Sequence, residues 1–225
     1  MNPTDSISRI NHHRYPFLLL FALPLMLLLS SCGVRGVVIQ DISHVDPGFS
    51  LEAVEAGGLS MLPVVASSGL ENFRRPFATL INAETDSLVK NFMPLNETLG
   101  IMNSNGLISD FNNAVMAYRE TSVLDRSLVD RLYEATGNNY FLYVHLLEPT
   151  DEREQRFNNY SERYYDREQK TAGAVALVWS AADGDVVWEG TTRIEVVSGQ
   201  YTTIVGDDKE RIERIAKALV SSLFE

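Results

Sequence analysis

Cysteine is nearly absent: in 225 residues the one thiol is Cys32. A lone cysteine excludes an internal disulfide and a zinc-thiolate cluster. Histidine is almost as scarce, and apart from His12 and His13 near the start only His44 and His145 occur. They lie too far apart in sequence to suggest a local metal site, so no metal or cofactor is expected. Positive charge is also short. The formal net charge is −11, which argues against nucleic acid and against adhesion to anionic lipid headgroups. No apolar run reaches the roughly 20 residues of a membrane-spanning helix. Gly-rich phosphate loops, Walker motifs, His-Glu-x-x-His helices and Gly-x-Ser-x-Gly elbows are all missing.

What is present begins at the front of the chain. A polar, mildly basic head with Arg9, His12, His13 and Arg14 precedes an apolar stretch from Phe17 to Leu29, broken by Pro24, and the small pair Ser30-Ser31 leads into Cys32. Cationic end, apolar segment and small residues in that order are the layout of a secretory signal peptide. The four residues Leu29-Ser30-Ser31-Cys32 resemble a bacterial lipobox. That resemblance implies cleavage before Cys32, a diacylglycerol thioether on its sulfur and usually a further acyl chain such as palmitate on the new amino group. Two or more chains give stable anchoring, at about 0.8 kcal/mol per buried methylene. Gly33 after the cysteine, where an Asp would resemble an inner-membrane retention signal, tilts the expected address to the outer membrane, with the domain in the periplasm.

Residues 1–31 are thus expected to be removed. With Asp5, Arg9 and Arg14 gone the net charge becomes −12. Residues 32–58 read as the lipidated cysteine and a tether, with Asp46-Pro47-Gly48 as a turn and Val37-Val38-Ile39 apolar enough to dock as an added strand. Residues 59–225 read as one α/β domain.

Leu59 to Val65 suits a short buried strand, and Pro63, which has no N–H to give a ladder, belongs at a strand end, an edge or a bulge. A helix is predicted from Pro76, with Phe77, Leu80, Ile81, Leu88 and Phe92 on one stripe. Shorter helices follow: one from the N-cap candidate Asn96, one carrying Leu107, Phe111, Val115 and Tyr118, and one carrying Leu124, Leu128 and Leu132 and ending at Gly137. Asn139 to Glu148 is dense in aromatic and branched residues and reads as a strand. Ala174–Trp179 and Val186–Val197 read as a hairpin turned at Asp183-Gly184. A closing helix starts near Lys209, with Asp207 and Glu210 at capping-box spacing and Ile212, Ile215, Ala216, Leu219 and Leu223 as its apolar stripe. The fold class expected is α/β, a mixed β-sheet packed with helices in a single domain.

This order, with "MLPVV", "LDRSLVDRLYEATGNNYFLYVHL" and "VALVWSAADGDVVWEG", resembles a domain shared by bacterial envelope lipoproteins. These are the curli-secretion lipoprotein, the penicillin-binding-protein activator lipoproteins and the amino-terminal domain of the Tol-Pal translocation protein. The resemblance implies protein contact rather than chemistry. Through the curli-secretion relative it also implies a homo-oligomer and a pore. For a pore, 149–170 is too charged on both faces for lipid contact, and 186–205 alternates better but reads equally well as a core strand.

No active site is expected. Ser67-Ser68-Gly69 follows the first strand without an elbow motif, and His145 within an aromatic strand reads as structural. The segment 152–170 is the main candidate for function. It reads as an insertion between strands and combines Arg153, Arg156, Phe157, Tyr160, Arg163, Tyr164, Tyr165 and Arg167, types enriched at binding hot spots. From Asp151 to Lys170 five basic and six acidic residues leave a net of −1, so nucleic acid gains no footing. A passive loop is the competing reading. The expectation is a lipid-anchored, non-enzymatic accessory or assembly factor that binds other envelope proteins, with a homo-oligomeric secretion component as the alternative.

Overall fold

A computed structural model describes the backbone of residues 37–158, 163–198 and 208–224, with side chains described outside 151–170, 196–198 and 208. The lipobox residues Leu29, Ser30, Ser31 and Cys32, the capping candidate Asp207 and the aromatic Tyr160 lie outside the described residues.

Among the described residues seven strands make one mixed sheet in the order β1-β7-β6-β5-β2-β4, with β3 also on β5. The strands are β1 (Val37–Val45), β2 (Leu59–Met61), β3 (Val65–Ala66), β4 (Phe92–Met93), β5 (Tyr140–Asn158), β6 (Arg163–Ser180) and β7 (Asp185–Ser198). Six helices of the described residues accompany them: α1 (Leu51–Gly57), α2 (Glu71–Leu88), α3 (Leu95–Ser104), α4 (Leu107–Thr121), α5 (Arg126–Thr136) and α6 (Asp208–Ser221). This is the α/β class that the order of elements predicts. On β5 the ladders change character: β2 and β3 run parallel to it, β6 antiparallel.

Two apolar cores follow from strand alternation. Leu142, Val144 and Leu146 of β5, with Ala174, Ala176 and Val178 of β6, join Phe77 and Ile81 of α2 and Ile215 and Leu219 of α6. Phe141 and Tyr143, with Leu177 and Trp179, join Phe111 of α4 and Leu128 and Leu132 of α5. Helices therefore cover both faces, and β5 reads as continuous hydrophobe because neither of its faces meets water there. Tyr143 and Trp179 stack at 5.5 Å and Phe111 closes on both at 6.4 Å. Such pairs contribute about 0.5–1.5 kcal/mol each beyond burial.

Several local expectations need correction. Residues 37–57, read as tether, belong to the fold: β1 pairs antiparallel with β7, and Phe49 stacks on Phe224 at 5.8 Å. Helix α2 starts at Glu71 rather than Pro76, so the proline sits inside it. Pro76 and Asn72, whose carbonyl loses its partner, are both exposed, so that carbonyl is open to solvent. Phe92 leaves the helical stripe for β4, and Leu88 is 44% exposed. Pro94 rather than Asn96 precedes α3, and Asn82 Oδ1 accepts the Leu95 N–H at 3.0 Å. Leu124 stands before α5, whose N-cap is Asp125, while Gly137 does end that helix in the left-handed region. Pro63 falls between β2 and β3, where the β2–β3 side takes one more residue than β5. The Asp183-Gly184 turn is also as read, with the Gly184 N–H donating to the Ser180 carbonyl.

Gly190 of β7 shows how tightly the helix-covered face is filled. A Cβ there would strike the Trp188 indole, which is fully buried. Overpacking of this kind costs about 1–3 kcal/mol, so Gly190→Ala is expected to lower the urea midpoint without changing the m-value. An unchanged midpoint would show that the indole has room to move.

Candidate functional site

Over 152–158 and 163–170 the segment forms strands rather than a loop. Strands β5 and β6 continue through it as one antiparallel ribbon, in register from Thr150↔Thr171 to Asn158↔Arg163. A charged sequence forms strands here because the register sets unlike charges opposite: Asp151 with Lys170, Arg153 with Glu168, Glu154 with Arg167. Strand β7 accompanies the ribbon only as far as Ser198, opposite Glu168. Beyond that rung the described residues comprise β5 and β6 alone. Of the eight predicted residues, Arg153, Arg156 and Phe157 lie on β5 and Arg163, Tyr164, Tyr165 and Arg167 on β6. The register brings Arg156 opposite Tyr165 and Phe157 opposite Tyr164.

At the root of the ribbon lies a feature that the sequence did not announce. The first turns of α2 and α6 end the helical cover of one sheet face while the strands continue, leaving a half-open cavity of about 350 Å³. Leu146, Ala172 and Ile194 form its floor, Phe73, Ile212 and Ile215 its walls, and Arg211 lines it as well. Leu146, Ile194, Ile212 and Ile215 belong to strand and helix patterns that already read as core, whereas Phe73 and Ala172 precede the elements predicted from Pro76 and Ala174, so no separate signal marks the cavity.

A second groove between α2 and α3, about 770 Å³, is lined by Arg74, Arg75, Asn96 and Leu99. At the free edge of the sheet, β1 pairs only with β7 among the described strands. It exposes Val37 (63%) and Val45 (50%), with Ile39 and Ile42 at about 40%. A bulge between Ile42 and His44 interrupts it.

The parallel register of β3 on β5 brings Ser67 to His145, with Ser67 Oγ 3.2 Å from Nε2. Ser68, the other serine of the turn, is exposed. The sequence singled these residues out separately but gave no sign that they meet. Burial holds the His145 pKa below its usual 6.5, and the positive charge of Arg119 adds to the effect. Nucleophilic catalysis needs the base oriented by a third group. Among the described residues no carboxylate hydrogen-bonds the imidazole. Next along the strand, burial pushes the Tyr143 hydroxyl up to about 12, Arg119 pulling the other way. No cluster of three metal-ligating residues occurs among the described residues, and no described helix is long and apolar enough to cross a membrane.

Fold and surface together define a helix-covered α/β domain with one β-ribbon standing out from the sheet. No family model matches the chain, and no curated protein is matched by its sequence. Solved structures similar in fold include the PelC dodecamer from Paraburkholderia phytofirmans, at TM-score 0.45 and 8% identity over 84% of this chain and 97% of that one. Lipoprotein GNA1162 from Neisseria meningitidis gives 0.43 and 14% over 74% and 97%. A minor lipoprotein from Acinetobacter baumannii gives 0.32 and 8% over 75% and 93%. The structural neighbours thus include bacterial lipoproteins, but the superpositions are too loose to transfer a role.

The depressed pKa of His145 has a consequence for stability. Above 6.5 the imidazole is neutral in both folded and unfolded chains; below it the unfolded chain binds a proton first, so stability falls as pH drops. His145→Gln is expected to flatten the decline of Tm on acidification from neutral pH through 6.5. Parallel curves for the two proteins would refute a role for this group.

Proposed function

We propose that the chain is a lipid-anchored protein of the bacterial cell envelope, held in the outer membrane by a diacylglycerol on Cys32 with its domain in the periplasm. It works without catalysis, as an accessory or assembly factor that binds other envelope proteins. The observation that carries this reading is the ribbon: a two-stranded projection of registered Tyr, Phe and Arg positions is built for contact rather than for stability of the core. The signal architecture supports the anchor. Alanine at both Ser67 and His145 should leave the protein's cellular role intact; its loss in a folded variant would revive the enzyme reading.

The test begins with the anchor. Wild-type protein is expected to carry lipid on Cys32 by mass spectrometry and to sediment with membranes, and Cys32→Ala to be released. The interface is then tested by in-cell cross-linking of wild type against a chain whose residues 152–169 are replaced by Asn-Gly. Asp151 and Lys170 are cross-strand partners, so a two-residue turn closes the hairpin there. Capture of a defined envelope protein by wild type alone supports the reading, and equal capture by both chains removes the ribbon from it.

The free edge of β1 favours a second reading, a homo-oligomer. Its nine residues offer an open hydrogen-bonding edge with exposed Val and Ile, whereas the opposite edge strand β4 has only two residues. Sheet extension is therefore a β1-to-β1 contact between two copies. Ile39→Lys should reduce a dimer to monomer by light scattering; an unchanged mass would exclude this edge.

A further inference from the structure

Strand β4 stops beside β2. Its two residues pair with Leu59 and Ser60, and at Pro94 the chain turns off into α3. The sheet itself continues past that point, because β3 runs on along β5 with Val65 opposite His145. Among the described strands β3 pairs with β5 alone, so none follows the line of β4 beside it. The groove of about 770 Å³ between α2 and α3 lies along that line and is lined by Pro63 and Val64. We infer that this groove takes a short acidic segment of a partner protein as an added strand on β3. The inference deepens the reading of the chain as one that binds other proteins and rests on that reading, though on neither the anchor nor the ribbon.

The backbone offers the edge. The Ser67 N–H donates to the Leu146 carbonyl at 3.0 Å, and main-chain groups alternate sides along a strand. Val65 and Ser67 therefore address β5, whereas Val64 and Ala66 turn their N–H and C=O groups to the opposite side, where an extended segment can pair. Helices flank that edge on both faces: Ile81 of α2 shares a core with Val64, and Met102 of α3 shares the other core with Leu62. The flanks keep out a second sheet and admit a single strand. Arg75, Thr79 and Asn82 follow one another along α2, and from Arg75 to Asn82 the helix rises about 10 Å, the length of about three extended residues.

Charge selects the occupant. Arg74 and Arg75 are exposed, and neither forms an ion pair among the described residues. No carboxylate is among the described residues that line the groove. In a chain of net charge −11 two unopposed guanidiniums attract a carboxylate, which they can bind bidentately, while the rest of the surface repels a polyanion. Side chains of an added strand alternate between the two helices. Those on the side of α2 meet the arginines, and those on the side of α3 meet Leu99, which is 36% exposed. The chemistry recognised is thus an extended segment in which acidic and apolar residues alternate.

The test is selection from a display library of random peptides, each about ten residues long, on the purified full chain. Enrichment of segments alternating acidic and apolar residues is expected. The best of them, made synthetically, should bind Arg74→Glu/Arg75→Glu at least about tenfold more weakly, the loss of one charge-assisted bond. Thr79→Trp, also at an exposed helix position, fills the groove without changing its charge and should weaken binding as well. N-methylation of alternate peptide amides separates strand addition from attraction alone: methyl groups in one phase are expected to abolish binding and in the other to leave it. No enrichment, enrichment without acidic residues, equal affinity for the charge-reversed chain, or equal effects of the two methylation phases overturns the inference. So does a wild-type dimer that the charge reversal dissociates, which assigns the groove to a second copy. Replacing residues 152–169 by Asn-Gly should leave peptide affinity unchanged, and a loss there moves the site to the ribbon and overturns the inference. Arginine-dependent peptide binding alongside failed envelope cross-linking removes the ribbon reading and supports the groove.

Discussion

Strand β5 is the constraint on which the structure depends. It is paired on both sides, parallel to β2 and β3 and antiparallel to β6, and over residues 141–146 it is covered on both faces apart from the half-buried His145. Every layer is referenced to it. Its even residues receive α2 and α6, and Phe141 and Tyr143 receive α3 to α5. Slipping it by one residue would exchange the two cores at once, so the register is strongly determined. The same strand then leaves the helical cover and carries its pairing with β6 into the ribbon, so the ribbon continues two strands of the core.

That continuity organises the surface. The cavity arises where α2 and α6 begin and β5, β6 and β7 do not stop. The start of β1 is fixed at the same level through β7. Ribbon root, cavity and the first residue of β1 lie on neighbouring rungs toward one end of the sheet, and the Asp183-Gly184 turn lies at the other. The free edge strand runs between them.

The strongly periodic elements were legible in the sequence because their evidence is local. The Asn139–Glu148 strand, the Ala174–Val197 hairpin, the α5 stop at Gly137 and the stripe of α6 each depend on spacing within about a dozen residues. The misread elements depend on distant partners. Val37–Val45 looked like tether because its pairing partner β7 lies some 150 residues on, although its apolar start hinted at docking. Residues 152–170 looked like an insertion because charged segments are usually solvated loops, and their strand character appears only when Arg153 is set across from Glu168. Pro76 looked like a helix start because a proline there costs no bond, yet an exposed face with water at hand tolerated it six residues in.

By itself the sequence determined the chemistry available. One thiol, two histidines past residue 31, an excess of carboxylates and a lipobox-like tetrapeptide are properties of composition and order that folding does not alter. It also determined which segments could be amphipathic. Only the tertiary structure decided what those segments meet: that Ser67 touches His145, that two helix starts leave a cavity, and that β1 begins level with the ribbon. Periodicity is set by each residue's near neighbours, whereas register across a sheet is set by which of many compatible pairings buries both faces together.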